Sequence, residues 1–152
     1  MRILIAEDEE RARRGLHSVL TSLSEDYEVV AEASNGKQAL ALLQILKPDV
    51  VFTDLKMPFL DGMGLIKAGI AAGVCTKYVI VSAYEEFEVA RQAISLGVKE
   101  YLVKPVTYDE LKDTMERLDA AQKGKPLLID KTLKERYPDV HPLVRKSVGF
   151  IE

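Results

Sequence analysis

Short apolar runs recur along the chain, separated by longer segments in which apolar residues return every three or four positions. The five runs lie at residues 3–6, 29–31, 50–52, 78–81 and 101–103. Continuous apolar runs of this length are typical of strands that are buried on both faces. The pattern therefore predicts five buried strands.

The segments between the runs have the periodicity of amphipathic helices. Their apolar positions are Ala12, Leu16, Val19, Leu20 and Leu23; Ala39, Leu40, Leu43 and Leu46; Leu65 and Ile66; Phe87, Ala90, Ala93 and Ile94; and Leu111, Met115 and Leu118. Before the last helix, Thr107 and Glu110 have the spacing of a capping box. Strict alternation of strands and helices predicts an α/β fold. We expect a doubly wound, five-stranded parallel sheet with helices on both faces, because right-handed crossovers place them there.

Length and charge divide the chain into two unequal parts. The 152 residues, 47% of them hydrophobic, suit one globular domain with an appendage. The net charge of −3 argues against a nucleic-acid-binding surface across the whole molecule. Residues 122–152 contain seven basic and four acidic side chains, whereas residues 1–121 contain 14 and 20. We expect a domain at 1–121 and, at 122–152, a linker or the start of a truncated effector domain.

Cysteine and histidine are too few for two common kinds of site. Cys75 has no second cysteine for a disulfide, and with His17 and His141 it cannot complete a zinc cluster. The first apolar run, Ile3 to Ala6, is too short for a signal peptide or a membrane span. We expect a cytoplasmic protein without a membrane association.

Acidic, hydroxyl and ammonium side chains follow the predicted strands. Glu7 and Asp8 come after the first strand, Asp54 after the third, Ser82 after the fourth and Lys104 after the fifth. Ligand sites in parallel α/β sheets lie at the carboxyl ends of the strands, so these side chains should converge. Clustered carboxylates without His or Cys favour Mg²⁺. A carboxylate nucleophile, a cation, a lysine and a hydroxyl are together what an aspartyl phosphate site needs.

The sequence around these positions carries the motif of a known family. It reads Thr53-Asp54-Leu55-Lys56-Met57-Pro58 followed by Asp61-Gly62, together with Glu7-Asp8, Ser82-Ala83 and Lys104-Pro105. In these features, residues 1 to about 121 resemble the receiver domains of two-component response regulators. The resemblance implies a flavodoxin-like fold with strand order 2-1-3-4-5. It also implies a regulatory phosphoacceptor and not an enzyme.

The resemblance implies that Asp54 is the phosphorylated residue and that the site binds Mg²⁺ or Mn²⁺. Asp8 and Asp54 would bind the metal directly, Glu7 would assist through water, and Lys56 would contribute its backbone carbonyl. The family also commonly has Asp where Glu7 stands, and the longer side chain changes how a metal-bound water is held. Lys56 and Tyr84 occupy positions that tune dephosphorylation, which leaves the lifetime of the phosphorylated state open.

The remaining site residues are implied to act on the phosphoryl group. The Ser82 hydroxyl, the Ala83 backbone amide and the Lys104 ammonium would bind its oxygens. Ser82 and Tyr101 would form the conformational switch, with the aromatic ring turning inward as the hydroxyl moves toward the phosphate. The peptide bond between Lys104 and Pro105 is expected to be cis, as is usual in the family.

The implied partners are a sensor histidine kinase and a second copy that docks through the fourth helix, fifth strand and fifth helix. Residues 84–94 resemble receivers that precede AraC-type DNA-binding domains, and residues 141–152 look like the first helix of such a domain. We then expect DNA to be bound only by a domain that is missing from this chain. Two alternatives stay open, a free-standing receiver and an aspartyl-phosphate hydrolase. The hydrolase needs a second Asp two residues after the nucleophile, where Lys56 stands.

Overall fold

The computed structural model describes residues 1–83 and 87–122. Within them, strands and helices alternate as predicted. In chain order they are β1 (Arg2–Ala6), α1 (Glu10–Leu23), β2 (Glu28–Ala33), α2 (Gly36–Leu46), β3 (Val50–Thr53), α3 (Gly62–Ala71), β4 (Lys77–Ser82), α4 (Phe87–Ser95), β5 (Glu100–Val103) and α5 (Tyr108–Gln122). Tyr84 and the appendage predicted at 122–152, beyond Gln122 itself, lie outside the described residues.

The five strands form one sheet in the order β2-β1-β3-β4-β5, and every neighbouring pair is parallel. The predicted doubly wound, flavodoxin-like topology is therefore confirmed. The chain moves outward from β1 in both directions, so the strand order reverses between β1 and β3. Ligands of open α/β sheets bind outside the carboxyl ends of the strands at this reversal.

Apolar side chains form one core on each face of the sheet. On the first face, Leu43 of α2, Leu65 of α3 and Ile94 of α4 pack against strand residues. On the second face, Leu20 of α1 and Met115 of α5 do so. The prediction of helices on both faces is confirmed, and the two packed layers fix the strand ends relative to one another.

The second strand differs from the predicted pattern of complete burial. Only Ala33 of β2 is buried, whereas its other residues are half-buried or exposed. Because β2 is the edge strand, it has a neighbour on one side only and its faces are less completely covered. Within the described residues, no helix is long and apolar enough to span a membrane.

Candidate functional site

The ends of the strands bring the predicted site residues to one edge of the sheet. Glu7 follows β1 directly, Asp54 follows β3, and Lys104 follows β5. The hydrogen-bond ladder continues past the strands, because Asp54 N donates to Ala6 O at 3.0 Å and Lys104 N donates to Ser82 O at 2.8 Å. These main-chain bonds hold the residues in register with the core.

Lys104 links the two sides of this edge. Its Nζ atom lies 2.5 Å from Glu7 Oε1 and 3.0 Å from Asp54 Oδ2. Glu7 is only 5% exposed and Asp54 only 9%. One ammonium group thus balances two largely buried carboxylates, which are 47 residues apart in the chain.

The electrostatics of the three groups follow from this sharing. Burial raises the pKa of Glu7 above its ordinary value of 4.5, and the charge of Asp54 adds to the shift, although the hydrogen bond from Lys104 opposes it. Burial alone would lower the pKa of Lys104, but its hydrogen bonds to Glu7 and Asp54 and their charges raise it. Among the described residues, the Lys104 ammonium pairs with two carboxylates, whereas Glu7 and Asp54 share this one ammonium.

The other oxygen of Asp54 is held by the loop that follows it. Leu55 N donates to Asp54 Oδ1 at 2.6 Å, and Gly62 N donates to Leu55 O at 2.9 Å. A Cβ atom on Gly62 would lie 2.2 Å from Asp54 O, so only glycine permits this close approach of α3 to the end of β3. The Leu55 amide therefore holds the Asp54 carboxylate, and the start of α3 packs against the main chain of the same loop.

Three carboxylates form a cluster suited to a divalent cation. Glu7, Asp8 and Asp54 each offer one oxygen, and these atoms lie within 4.8 Å of one another. Two oxygens bound to one Mg²⁺ at about 2.1 Å lie roughly 3 to 4 Å apart, so the set fits after a small closure or with one ligand bound through water. Asp8 is exposed and faces solvent, whereas Glu7 is buried, which leaves the cluster accessible from one side.

The residues predicted to contact a phosphoryl group or to switch lie nearby on β4 and β5. Ser82 is the last residue of β4 and is fully buried, and the following residue, Ala83, is exposed. Tyr101 on β5 is 2% exposed and packs in the core beneath α4, so its ring is already inside the protein. The Lys104–Pro105 peptide bond is cis.

One residue at this edge was missed in the sequence analysis. Arg13 Nη1 donates to the backbone oxygen of Glu7 at 2.9 Å, and Arg13 Nε lies 3.6 Å from Glu32 Oε1 on β2. Spacing along α1 gives no sign of this contact, because the acceptor is a main-chain oxygen and the ion-pair partner is on another strand. Only the folded structure brings the three groups together.

Comparisons with known proteins agree with the fold. Residues 3–116 match the family described as the response regulator receiver domain. The chain is 32% identical to the uncharacterized transcriptional regulatory protein YesN of Bacillus subtilis over 131 residues, which cover 86% of this chain and 36% of YesN. It is also 32% identical to the transcriptional regulatory protein PdtaR of Mycobacterium tuberculosis, with 99% of this chain and 73% of PdtaR covered.

A solved structure gives the same result. The signal receiver domain of the putative response regulator NarL from Mycobacterium tuberculosis superposes with a TM-score of 0.72 and 32% identity, covering 80% of this chain and 95% of that domain. The chain spans only about a third of the length of YesN, so the likeness concerns one part of that regulator. The matched residues 3–116 contain the acidic cluster, β2 to β5 and all of β1 except Arg2. The chain therefore belongs to the response regulator receiver domain family.

Proposed function

We propose that this chain is the phosphoacceptor switch of a two-component system, in which Asp54 takes a phosphoryl group from a histidine kinase. The observation that supports this most is the contact of one ammonium group, Lys104 Nζ, with both Asp54 and Glu7. In this arrangement an ammonium group lies beside the carboxylate that we propose as the nucleophile, at the edge of the sheet where a phosphoryl group can enter from solvent. Asp8 completes the acidic cluster on the open side.

The transfer needs no general base, because an ionised carboxylate has no proton to lose. An oxygen of Asp54 forms a bond to phosphorus while the bond between phosphorus and the imidazole nitrogen of the kinase phosphohistidine breaks. The electron pair of that bond returns to the imidazole. Lys104, the Ser82 hydroxyl and the Ala83 amide then bind the phosphoryl oxygens, which carry roughly two negative charges.

A divalent cation supplies the remaining charge compensation. Mg²⁺ or Mn²⁺ would be held by Asp8 and Asp54, by Glu7 through water and by the backbone carbonyl of Lys56, and it would neutralise charge on the phosphoryl oxygens. Glu7 and Asp54 share the single ammonium of Lys104, so a further cation relieves their mutual repulsion.

The surface beside the site suits a protein donor. A cavity of about 530 Å³ opens between α1 and the start of α5, next to Glu7 and Lys104, and Leu16, Val19 and Val106 line it. An apolar surface directly beside the phosphoacceptor can bind a helix of the kinase and so bring its phosphohistidine to Asp54. The docking of a sensor kinase is therefore part of the proposal.

The output is proposed to be transcriptional. Movement of Ser82 and Tyr101 would change the face formed by α4, β5 and α5, where Phe87 and Tyr108 are 41% and 51% exposed and available to a second copy. We assign the receiver to residues 1–121 and propose that residues 122–152 lead toward a DNA-binding domain. The relatives YesN and PdtaR, both named as transcriptional regulatory proteins, support this output.

Incubation with acetyl phosphate and Mg²⁺, followed by intact mass measurement, tests the central step. The wild type should gain the mass of one phosphoryl group, and the Asp54→Asn variant and a sample with excess chelator should not. A wild type that gains no mass, or an Asn variant that gains the same mass, would show that Asp54 is not the phosphoacceptor. The hydrolase alternative is disfavoured, because such an enzyme needs a second Asp where Lys56 stands.

A further inference from the structure

Arg13 lies outside the proposed phosphoacceptor machinery, yet it holds the main chain that carries the acidic pair. It is in the first turns of α1, and its side chain is 20% exposed. Its Nη1 atom donates to Glu7 O at 2.9 Å, while its Nε atom faces Glu32 Oε1 at 3.6 Å. The planar guanidinium can serve both acceptors at once, which a lysine ammonium on a flexible stem does less well.

The backbone N–H of Glu7 is held directly by β2, and its carbonyl is held by Arg13 of α1, which in turn pairs with β2. Glu7 N donates to Ala33 O at 2.9 Å, and Glu7 O accepts from Arg13, whose other side is paired with Glu32. Ala33 and Glu32 are adjacent residues of β2, so the peptide units before and after Glu7 are tied to the same point of the edge strand. The peptide that follows Glu7 is the one that leads into Asp8.

We propose that Arg13 is a positioning residue for divalent-cation binding, acting by clamping the Glu7 carbonyl so that Glu7 and Asp8 present their carboxylates together. The inference rests on the proposed metal-dependent function and goes beyond it by adding a residue that touches neither cation nor phosphoryl group. Groups that orient ligands without touching the metal commonly change affinity by about 10- to 100-fold when they are removed.

The sign of the effect separates positioning from simple electrostatics. Arg13 carries a positive charge close to the proposed metal site, so its charge alone would repel Mg²⁺ and weaken binding. If charge were its main influence, the Arg13→Gln variant would bind Mg²⁺ more tightly than the wild type. If positioning dominates, the same variant binds more weakly. A purely structural role would lower stability and leave the Mg²⁺ affinity unchanged.

Arg14 provides a matched control. It is the next residue of α1, its side chain is 77% exposed, and it pairs with Glu10 at 2.7 Å. Arg14→Gln removes the same charge from the same helix without touching Glu7. Arg13→Lys keeps the charge but loses the planar guanidinium with its several N–H donors. It provides a second, milder variant if Arg13→Gln folds poorly.

The test is the dissociation constant of Mg²⁺ alone, measured by isothermal titration calorimetry at fixed ionic strength for the full chain and the three variants. We expect about tenfold weaker binding for Arg13→Gln, an intermediate loss for Arg13→Lys, and a change of less than about twofold for Arg14→Gln. Thermal unfolding without metal checks that each variant is folded.

Two results overturn the proposal in different ways. Folded Arg13 variants that bind Mg²⁺ as tightly as the wild type, or more tightly, would show that Arg13 does not position the site. A wild type that binds no Mg²⁺ would overturn both this inference and the proposed metal-dependent function. In the first case the wild type still binds Mg²⁺ and is phosphorylated, so only the inference about Arg13 is overturned.

Discussion

A single ammonium group is shared between two buried carboxylates at the end of the sheet, and this sharing decides how the site responds to charge. Lys104 contacts Glu7 and Asp54, and the pKa of Glu7 is nevertheless raised, chiefly by burial. The folded protein therefore holds a proton on Glu7 more tightly than the unfolded chain does. Ionisation of Glu7 costs stability, and this cost appears as the pH rises above the ordinary value of 4.5.

The Glu7→Gln variant should accordingly be more stable than the wild type at pH 7 in the absence of divalent cations. Gln removes the unfavourable charge but keeps an oxygen that can accept from Lys104. In saturating Mg²⁺ the difference in free energy of unfolding between the two proteins should shrink or change sign. The wild type binds Mg²⁺ more tightly and is therefore stabilised more by it. Urea unfolding with and without Mg²⁺ measures both effects. A metal-free Gln variant less stable than the wild type would contradict the argument.

Tyr78 presents a different cost, that of a buried hydroxyl. Its pKa is raised by burial to about 12, and among the described residues its hydroxyl has no hydrogen-bond partner. Tyr78→Phe removes an unsatisfied polar atom, so the free energy of unfolding at pH 7 should rise by about 1 kcal/mol. The half-exposed Tyr108 offers a matched control, and Tyr108→Phe should change stability by less than about 0.5 kcal/mol.

The pH dependence of the same residue has a defined sign. Between its ordinary value of 10.0 and about 12, Tyr78 stays protonated in the folded protein and ionises in the unfolded chain. The free energy of unfolding therefore falls as the pH rises through that window, because the unfolded chain loses this proton first. Urea unfolding at pH 7 and near pH 11 should show a smaller loss for Tyr78→Phe than for the wild type. An equal loss in both proteins would assign the alkaline sensitivity to other groups.

At the residue scale, the sequence predicted those site residues that directly follow a strand. Glu7, Asp54 and Lys104 follow buried strands, and parallel strands bring their carboxyl ends to one edge. The role of Arg13 could not be predicted this way. Its contact depends on the path of β2 and on a main-chain oxygen, which has no signature in the sequence.

At the scale of elements, two helix starts are pressed against the loop between β3 and α3. A Cβ atom on Gly62 would lie 2.2 Å from Asp54 O, and one on Gly36 would lie 1.8 Å from Leu60 O. By contrast, a Cβ on Gly15 in α1 meets nothing within 4 Å. The sequence predicts the helices but does not distinguish these glycines, because the difference lies in what packs against each one.

Alanine substitutions at Gly15 and Gly62 should therefore have opposite effects on the free energy of unfolding. Gly15→Ala should raise the free energy of unfolding by roughly 0.5 to 1 kcal/mol, because alanine loses less backbone entropy in a helix interior. Gly62→Ala should lower it by about 2 kcal/mol or more, because the methyl group must displace the end of β3. Urea unfolding of both variants checks this. A neutral Gly62→Ala would mean that α3 can move away from Asp54 at little cost.

The burial of the strands could likewise be predicted only in part from the sequence. The predicted apolar runs identified β1, β3, β4 and β5 as buried, and these are buried over nearly all their length. The run Val29 to Ala31 has the same composition but lies on the edge strand and is only partly buried. The apolar content of a segment indicates that it tends to be buried. Its place in the strand order decides how completely it is buried.

At the scale of the whole molecule, alternation of strands and helices was enough to predict the topology, because right-handed crossovers leave few arrangements. The described core is closed by α1 and α5 on one face and by α2, α3 and α4 on the other. The family match ends at residue 116, within α5. Every residue proposed for the site lies before that point, so the phosphoacceptor unit should not depend on residues after α5.

A fragment of residues 1–122 tests this independence. We expect its free energy of unfolding to match that of the full chain within about 0.5 kcal/mol, and acetyl phosphate to modify Asp54 to the same extent. A fragment ending at residue 110 is the control, since it lacks Leu111, Met115 and Leu118, which complete the core beneath α5. It should fail to unfold cooperatively, because an uncovered apolar face of the sheet cannot offset the entropy of folding. If the longer fragment also lost cooperative unfolding or phosphorylation, residues 123–152 would have to be part of the receiver itself, and the proposed boundary would be wrong.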